Sequence, residues 1–202
     1  MLEIFTCDQG TEPWFNCKLG IVSAGSFSKV LAKGEGKVRK NYMLKLAAEI
    51  ITGERRETYQ SSDMRRGIEQ EPSARDEYSF VTGNDVTQIG FAKNNRIGAS
   101  PDGLVGPKSG IEIKSVIAEE QIETVLANKV PAKHKPQIQG NMMVLDCESW
   151  DFVSYSPLIK NKNYIFIKRM VRDEKYINKL QIELLAFIRE LDDMVKKMGG
   201  KT

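Results

Sequence analysis

The sequence predicts one α/β domain spanning residues 1–202, a central mixed β-sheet flanked by helices. Three observations lead there. The chain is 202 residues long and 41% hydrophobic, enough to bury a full core. Short extended segments separated by turn formers fill its middle and last third. Runs with apolar residues at helical spacing stand before, between and after them.

The first clear element is a helix over residues 41–51, where Met43, Leu46, Ala47 and Ile50 form one face and Gly53 supplies a stop. Before it, residues 34–40 combine two glycines with Lys37, Arg39 and Lys40 and read as a mobile, positively charged loop able to lie along a phosphate backbone. Residues 64–77 read as a second helix, with Pro72 near its start or bending it. Residues 90–97 and 110–115 read as adjacent strands of a hairpin or meander, separated by the turn formers Pro101, Asp102 and Gly103. A helix over 118–128 follows, with Ile122, Val125 and Leu126 as its apolar stripe and Pro131 as its breaker. Another starts near His134 and runs to Leu145, with Pro136 in the first turn, where a missing N–H is no loss. Residues 150–156 and 163–170 form two more strands joined by a turn. A long amphipathic helix over 173–198, marked by Ile177, Leu180, Leu184, Ile188, Leu191 and Val195, closes the domain.

Composition narrows the chemistry. Cys7, Cys17 and Cys147 are odd in number and lack the close pairing of a zinc site, so ordinary thiols are expected rather than disulfides or structural zinc. The one histidine, His134, excludes mechanisms needing two and is expected to cap or border a helix. No stretch approaches the roughly 18–20 apolar residues that cross a bilayer, and the first ten residues lack a basic leader with an apolar core, so a cytoplasmic protein is expected. Chemistry then rests on carboxylates and lysines. The net charge of +3 is small but uneven: residues 27–66 hold ten Lys or Arg against five Asp or Glu, and residues 158–172 hold five against none.

Asp102 precedes Glu112 by ten positions, and Glu112, Ile113 and Lys114 form an acidic, apolar, basic triplet in a strand-like run. Two apart on a strand, Glu112 and Lys114 project from one face while Ile113 points into the core. Asp102 at the turn can swing towards that face, offering two carboxylates to a hard divalent cation, of which magnesium is the natural choice. Such an ion polarises a phosphate oxygen and acidifies a bound water, and a second one steadies the departing oxygen. Lys114 would orient the water or offset charge building on the phosphorane. Chance produces such triplets often on solvated strands. Glu71 on a preceding helix, with Gln137 and Gln139 on a following one, adds weight.

Longer motifs surround these residues in a fixed order: 9–14 (QGTEPW), 18–24 (KLGIVSA), 66–71 (RGIEQE), 100–104 (SPDGL), 110–114 (GIEIK), 137–139 (QIQ) and 172–176 (RDEKY). Together they resemble the phage-type alkaline exonucleases, the lambda exonuclease or YqaJ-like recombinases of the PD-(D/E)xK nuclease superfamily. The resemblance implies a restriction-endonuclease-like core and a processive 5′-to-3′ exonuclease. Such an enzyme degrades one strand of linear double-stranded DNA to 5′-mononucleotides and leaves a 3′ tail for a single-strand annealing protein. It further implies a ring-shaped homotrimer, at work in the bacterial host of a phage or prophage, using two Mg²⁺ ions with Mn²⁺ as a substitute.

Carried over by motif, Asp102, Glu112 and the Ile113 carbonyl hold the metal, Glu71 completes its shell and Lys114 acts on the water. Gln137 joins the catalytic set and, with Ser100, approaches the 5′-phosphate or the scissile phosphate; Lys18 and Ser26 belong to the 5′-phosphate pocket. Met64 matches an apolar position that wedges apart the terminal base pair, at roughly a few kcal/mol of unstacking. Lys33, Lys37, Arg39, Lys40 and Arg65 are expected along the duplex. Two positions depart from the pattern. Lys18 stands where arginine is common and offers a point charge in place of a fork, and Gly25 stands where a serine often does, with Ser26 next along. The competing readings are an endonuclease of the same fold, directed by structure or sequence, and a non-catalytic DNA-end-binding module.

Overall fold

Residues 1–32, 36–56 and 60–201 are described by the computed structural model. Its strands build two four-stranded sheets, both of mixed direction. In the first, β1 (Leu2–Phe5) lies beside β3 (Phe91–Asn94), which pairs antiparallel with both β1 and β4 (Ile97–Ala99), and β2 (Val22–Ser23) joins β4 in parallel. In the second, β5 (Gly103–Val105) and β6 (Ser109–Ser115) form an antiparallel hairpin, β7 (Ser149–Tyr155) runs parallel to β6, and β8 (Ile165–Val171) closes the sheet antiparallel to β7. An isolated bridge joins Thr87, in the segment before β3, to Leu104 of β5.

This is the α/β architecture the sequence predicts, distributed over two sheets. Residues 90–97 and 110–115 are not neighbours, as expected from their patterns, but lie in different sheets. Asn95 adopts a left-handed φ of 55°, a conformation that asparagine tolerates at turns. The first run therefore folds back on itself as the β3–β4 hairpin, and β6 takes β5 as its partner instead.

The helices are α1 (Glu12–Cys17), α2 (Phe27–Val30), α3 (Val38–Thr52), α4 (Ser62–Thr82), α5 (Ala118–Ala127), α6 (Lys135–Leu145) and α7 (Glu174–Lys197). Gly53, at φ 69°, ends α3 in the left-handed cap that favours glycine. Val38, Arg39 and Lys40 are the first turn of α3 rather than a loop, and Lys33 lies outside the described residues. Ser61 caps α4 by accepting from Met64 N at 3.2 Å, so this helix begins earlier than its apolar pattern indicates. Pro72 sits in its interior rather than near its start.

On α5 the expected stripe is reversed. Ile122 and Leu126 are 51% and 79% exposed, while Gln121 and Thr124 are buried. The cause is a polar anchor: Gln121 Nε2 donates to the carbonyls of Ser154 and Asn163 at 3.3 and 2.8 Å, and its Oε1 accepts from Ser154 Oγ at 2.6 Å.

Two helices sandwich the second sheet. Ala74 and Tyr78 of α4 pack with Ile111, Ile113, Val153 and Tyr155 on one face; Ile138 and Met142 of α6 pack with Trp150 and Phe152 on the other. The strand's period of two therefore puts Glu112 and Lys114 on the side of α6. A Cβ at Gly140 would lie 2.5 Å from the Phe27 ring, so a bare glycine there is what lets α6 press against the turn at 24–26. Among the described residues no helix is long and apolar enough to cross a membrane.

Candidate active site

Asp102 occupies the turn that enters β5, and its Oδ2 accepts from Ile113 N at 2.6 Å, drawing the turn against β6. Glu112, wholly buried, has Oε1 at 2.5 Å from Lys114 Nζ. Its Oε2 accepts from Asn141 Nδ2 of α6 at 3.1 Å. From α4, Glu71 pairs with Arg75 one turn later at 2.5 Å, and Arg75 Nε donates to the Asp102 carbonyl at 2.9 Å. Glu112 and Lys114 share a face, as the alternation requires, while Ile113 is buried with Tyr78.

Electrostatics tie these groups into one cluster. Burial, reinforced by Glu112 and Glu71 and opposed by Lys114, pushes the Asp102 carboxyl well above the usual carboxylate range. Burial also raises Glu71, with Arg75 opposing and Glu112 adding. For Lys114 burial works against the charge, yet Glu112 and Asp102 outweigh it and hold the ammonium above the ordinary lysine value. His134 stacks on Phe152 at 5.2 Å and is pushed down to about 4 by burial and then by Lys114, so it is neutral at working pH. Its place at the start of α6 is the helix-bordering one expected. Perturbed groups clustered in this way mark sites of chemistry more often than sites of packing.

The donors facing one another are oxygens, which suits a hard divalent ion. Among the described residues, Glu112 Oε1 and Asn141 Oδ1 are buried without a well-formed hydrogen bond; the Lys114 contact is one of charge. A buried carboxylate oxygen whose partner is itself a cation, beside the unpartnered Asn141 Oδ1, fits a cation. As arranged, no three Asp, Glu, His or Cys side chains of the described residues close on a common point. Each carboxylate leans on a donor of its own: Asp102 on Ile113 N, Glu112 on Lys114 and Asn141, Glu71 on Arg75.

Other expected residues lie in separate surroundings. Ser100 Oγ accepts from Trp14 Nε1 at 3.1 Å and from Lys18 Nζ at 3.4 Å. Trp14 is half-buried and carries the Lys18 ammonium 3.4 Å above its ring. Ser26 precedes α2 and faces Tyr42, whose hydroxyl burial pushes up to about 12. Gln137 turns towards Gly25, where an added Cβ would lie 3.8 Å from Gln137 Nε2. Gln139 is a buried latch. It donates to the Val171 carbonyl and accepts from Asp173 N, both at 2.9 Å, joining β8 to α7. Met64 and Arg65 are exposed at the start of α4, and Lys37 and Lys40 are exposed at the start of α3. Arg39 forks onto Glu190 at 2.7 and 2.8 Å and lies over Phe187, a pairing that ties α3 to α7. The three cysteines are free thiols, half-buried or buried.

Asn141 and Arg75 escaped the sequence reading. The available signal was helical spacing, since Asn141 follows Gln137, and Arg75 follows Glu71, by four positions.

Residues 13–148 match the family described as the YqaJ-like viral recombinase domain. No curated protein matches the chain. Among solved structures, the alkaline exonuclease LHK-Exo from Laribacter hongkongensis is 34% identical, over 94% of this chain and 96% of that one, with a TM-score of 0.87. The complex of LHK-Exo with dAMP is also 34% identical, over 93% and 96%, with a TM-score of 0.86. A phage-related exonuclease from Haemophilus somnus 129PT, at 18% identity over 88% and 96% and a TM-score of 0.69, shares the fold. With a family match across residues 13–148 and an alkaline exonuclease aligned over nearly its whole length, the chain belongs to the YqaJ-like viral recombinase family, with a restriction-endonuclease-like fold and the role of a nuclease.

Proposed function

We propose that residues 1–202 form one nuclease domain that shortens linear double-stranded DNA from the 5′ end of one strand, releasing 5′-mononucleotides with Mg²⁺ as cofactor. The observation that carries this reading is the meeting of Asp102, Glu112 and Lys114 at the β5–β6 hairpin, within electrostatic reach of Glu71. Asp102, Glu112 and the Ile113 carbonyl would hold the ion, with Glu71 completing its shell, and Mn²⁺ would substitute. When bound, such ions polarise the phosphate and acidify a water.

The chain's own residues do the rest. Lys114, held charged by its neighbours, serves as a cation and hydrogen-bond donor to the attacking water or the phosphate rather than as a proton acceptor. Asn141 fixes the Glu112 carboxylate, and Arg75 fixes both Glu71 and the Asp102 turn. Lys18, Ser100, Ser26 and Gln137 take the strand-end or scissile phosphate, and Met64, exposed at the start of α4, wedges the terminal pair. Lys37, Lys40 and Arg65 lie along the duplex. Processivity, a homotrimeric ring, the 3′ tail handed to a single-strand annealing protein and work inside the host cell of a phage or prophage complete the proposal.

Linear duplex DNA labelled separately at each end tests it. With Mg²⁺ the 5′ label leaves first as mononucleotide and the 3′ end persists as single strand; ends left untouched across Mg²⁺ concentrations and pH would overturn the reading. Cutting of covalently closed circles would favour an endonuclease instead. End binding that chelators leave intact, with no product strands, would favour a non-catalytic module.

A further inference from the structure

Gln139 and the motif at residues 172–176 take no step in the proposed reaction, yet they grip the helix that brings Asn141 to Glu112. Gln139 lies two residues before Asn141 on α6, roughly 200° away around the helix, and is 1% exposed. Its Nε2 donates to the Val171 carbonyl and its Oε1 accepts from Asp173 N, both at 2.9 Å. A residue of a parallel strand pairs in this way, donating to one residue of its neighbour and accepting from the residue two further on. The amide thus meets the end of β8 as one more strand would. Lys135, one turn earlier on α6, adds an ion pair to Asp173 Oδ2 at 2.9 Å and lies 4.5 Å from the Tyr176 ring centroid. Arg172 Nη1 donates to the carbonyls of Met142 and Cys147 at 2.7 and 3.3 Å. The motif therefore touches α6 at its start, middle and end.

The two ends of this arrangement differ in their access to water. Val171 is 67% exposed and the Asp173 side chain 39%, so at the β8 end water can replace the amide at small net cost. Glu112 is wholly buried, and its Oε2 takes its hydrogen bond from Asn141 Nδ2 at 3.1 Å. Two bonds from one planar amide resist both rotation of α6 and sliding along its axis. A slip of one residue shifts a helix by about 1.5 Å, enough to break that contact, and a misplacement of about 1 Å at a reacting centre can cost about a hundredfold in rate. Position, more than stability, is what the Gln139 amide supplies.

Resting on the nuclease reading of Glu112, we infer that Gln139 is a positioning residue: by pairing with the end of β8 it fixes the register of α6 at which Asn141 meets Glu112. It touches neither substrate nor ion and acts through Asn141.

That meeting can be measured without DNA. In EDTA, urea denaturation of Asn141→Leu, Glu112→Gln and the double variant gives the coupling between the two side chains, first with Gln139 in place and then in a Gln139→Met background. With Gln139 the coupling should be about tenfold in the unfolding equilibrium constant, the scale of a hydrogen bond to a charged group. With Gln139→Met it should fall below about twofold. A residue that only held the fold together would lower every midpoint alike and leave the coupling unchanged. Cutting of end-labelled linear duplex in Mg²⁺ should fall about tenfold or more in Gln139→Met. Should Gln139→Met fail to fold, Gln139→Asn, whose amide is one methylene too short to span the same gap, replaces it with the same expectations. A coupling that is missing with Gln139 in place, or kept at full size without it, overturns the inference, and so does a Gln139 variant that cuts at the wild-type rate. A protein in which the coupling depends on Gln139 but which leaves DNA uncut would sink the nuclease reading alone.

Discussion

Lys114→Met removes the ammonium beside Glu112 while keeping most of the apolar stem. Glu112, with no solvent exposure, is then left with the single donor Asn141 Nδ2 at 3.1 Å. Removing one member of a buried ion pair costs about 3–5 kcal/mol, because the other charge is stranded. The Lys114 side chain is 30% exposed, so water can enter the gap it leaves. The loss should therefore be about 2–3 kcal/mol, which for a chain of this size lowers Tm by roughly 4–12 °C. Glu112→Gln neutralises the stranded charge, so the double variant should recover to within about 1 kcal/mol of wild type. Urea denaturation of the four proteins in EDTA at neutral pH closes this cycle. Additive losses, or a Lys114→Met protein as stable as wild type, would show that these groups do not compensate each other and that the site geometry is wrong. Each single variant should also lose about 10²–10³ in cutting rate.

Asp102→Asn should raise stability at neutral pH while abolishing cutting. Because the folded Asp102 carboxyl titrates above its ordinary value, the native state holds the extra proton and wild-type stability falls as pH rises through that window; melts over a pH series should find the fall reduced in the variant. Lys18 acts in the opposite sense. Its folded value of about 7 lies below the ordinary 10.5, so the native state binds fewer protons and stability should rise between those limits, a rise that Lys18→Met flattens. Asn141→Leu strips a donor from Glu112 and should cost about 1–3 kcal/mol in urea denaturation; an unchanged midpoint would remove Asn141 from the site.

Features set by local spacing were legible in the sequence. The closing helix announced itself through Ile177, Leu180, Leu184, Leu191 and Val195, all buried. The common face of Glu112 and Lys114 followed from the period of two. Features set by distant partners were not legible. The α5 face is chosen by Gln121 reaching Ser154, 33 positions away, against the apolar pattern of its own helix. The pairing of Arg39 with Glu190 could not be read because its partner lies 151 positions on. The division into two sheets depends on Asn95 accepting a left-handed turn inside a run that otherwise reads as one strand. Asn141 was invisible because its meaning depends on Glu112, 29 positions earlier and in a strand of the sheet that its helix covers.

The contact between Lys114 and Glu112 also bears on how an ion would enter. Glu112 Oε1 is the oxygen that the ammonium touches and the one that lacks a well-formed hydrogen bond. Glu112 Oε1 would hold an ion only if the lysine moved off it, and the Lys114 ammonium, held charged by Asp102 and Glu71 as well, would then need other acceptors. Those the reaction brings are the phosphate oxygens and the attacking water. On the proposed reading, lysine and metal would compete for this one carboxylate, and the lysine would then be available to the phosphate. Lys114→Met should accordingly bind Mg²⁺ at least as tightly as wild type by calorimetry, despite its loss of cutting. A markedly weaker affinity would mean that the lysine helps to hold the ion's ligands in place, and the competition argument would fail.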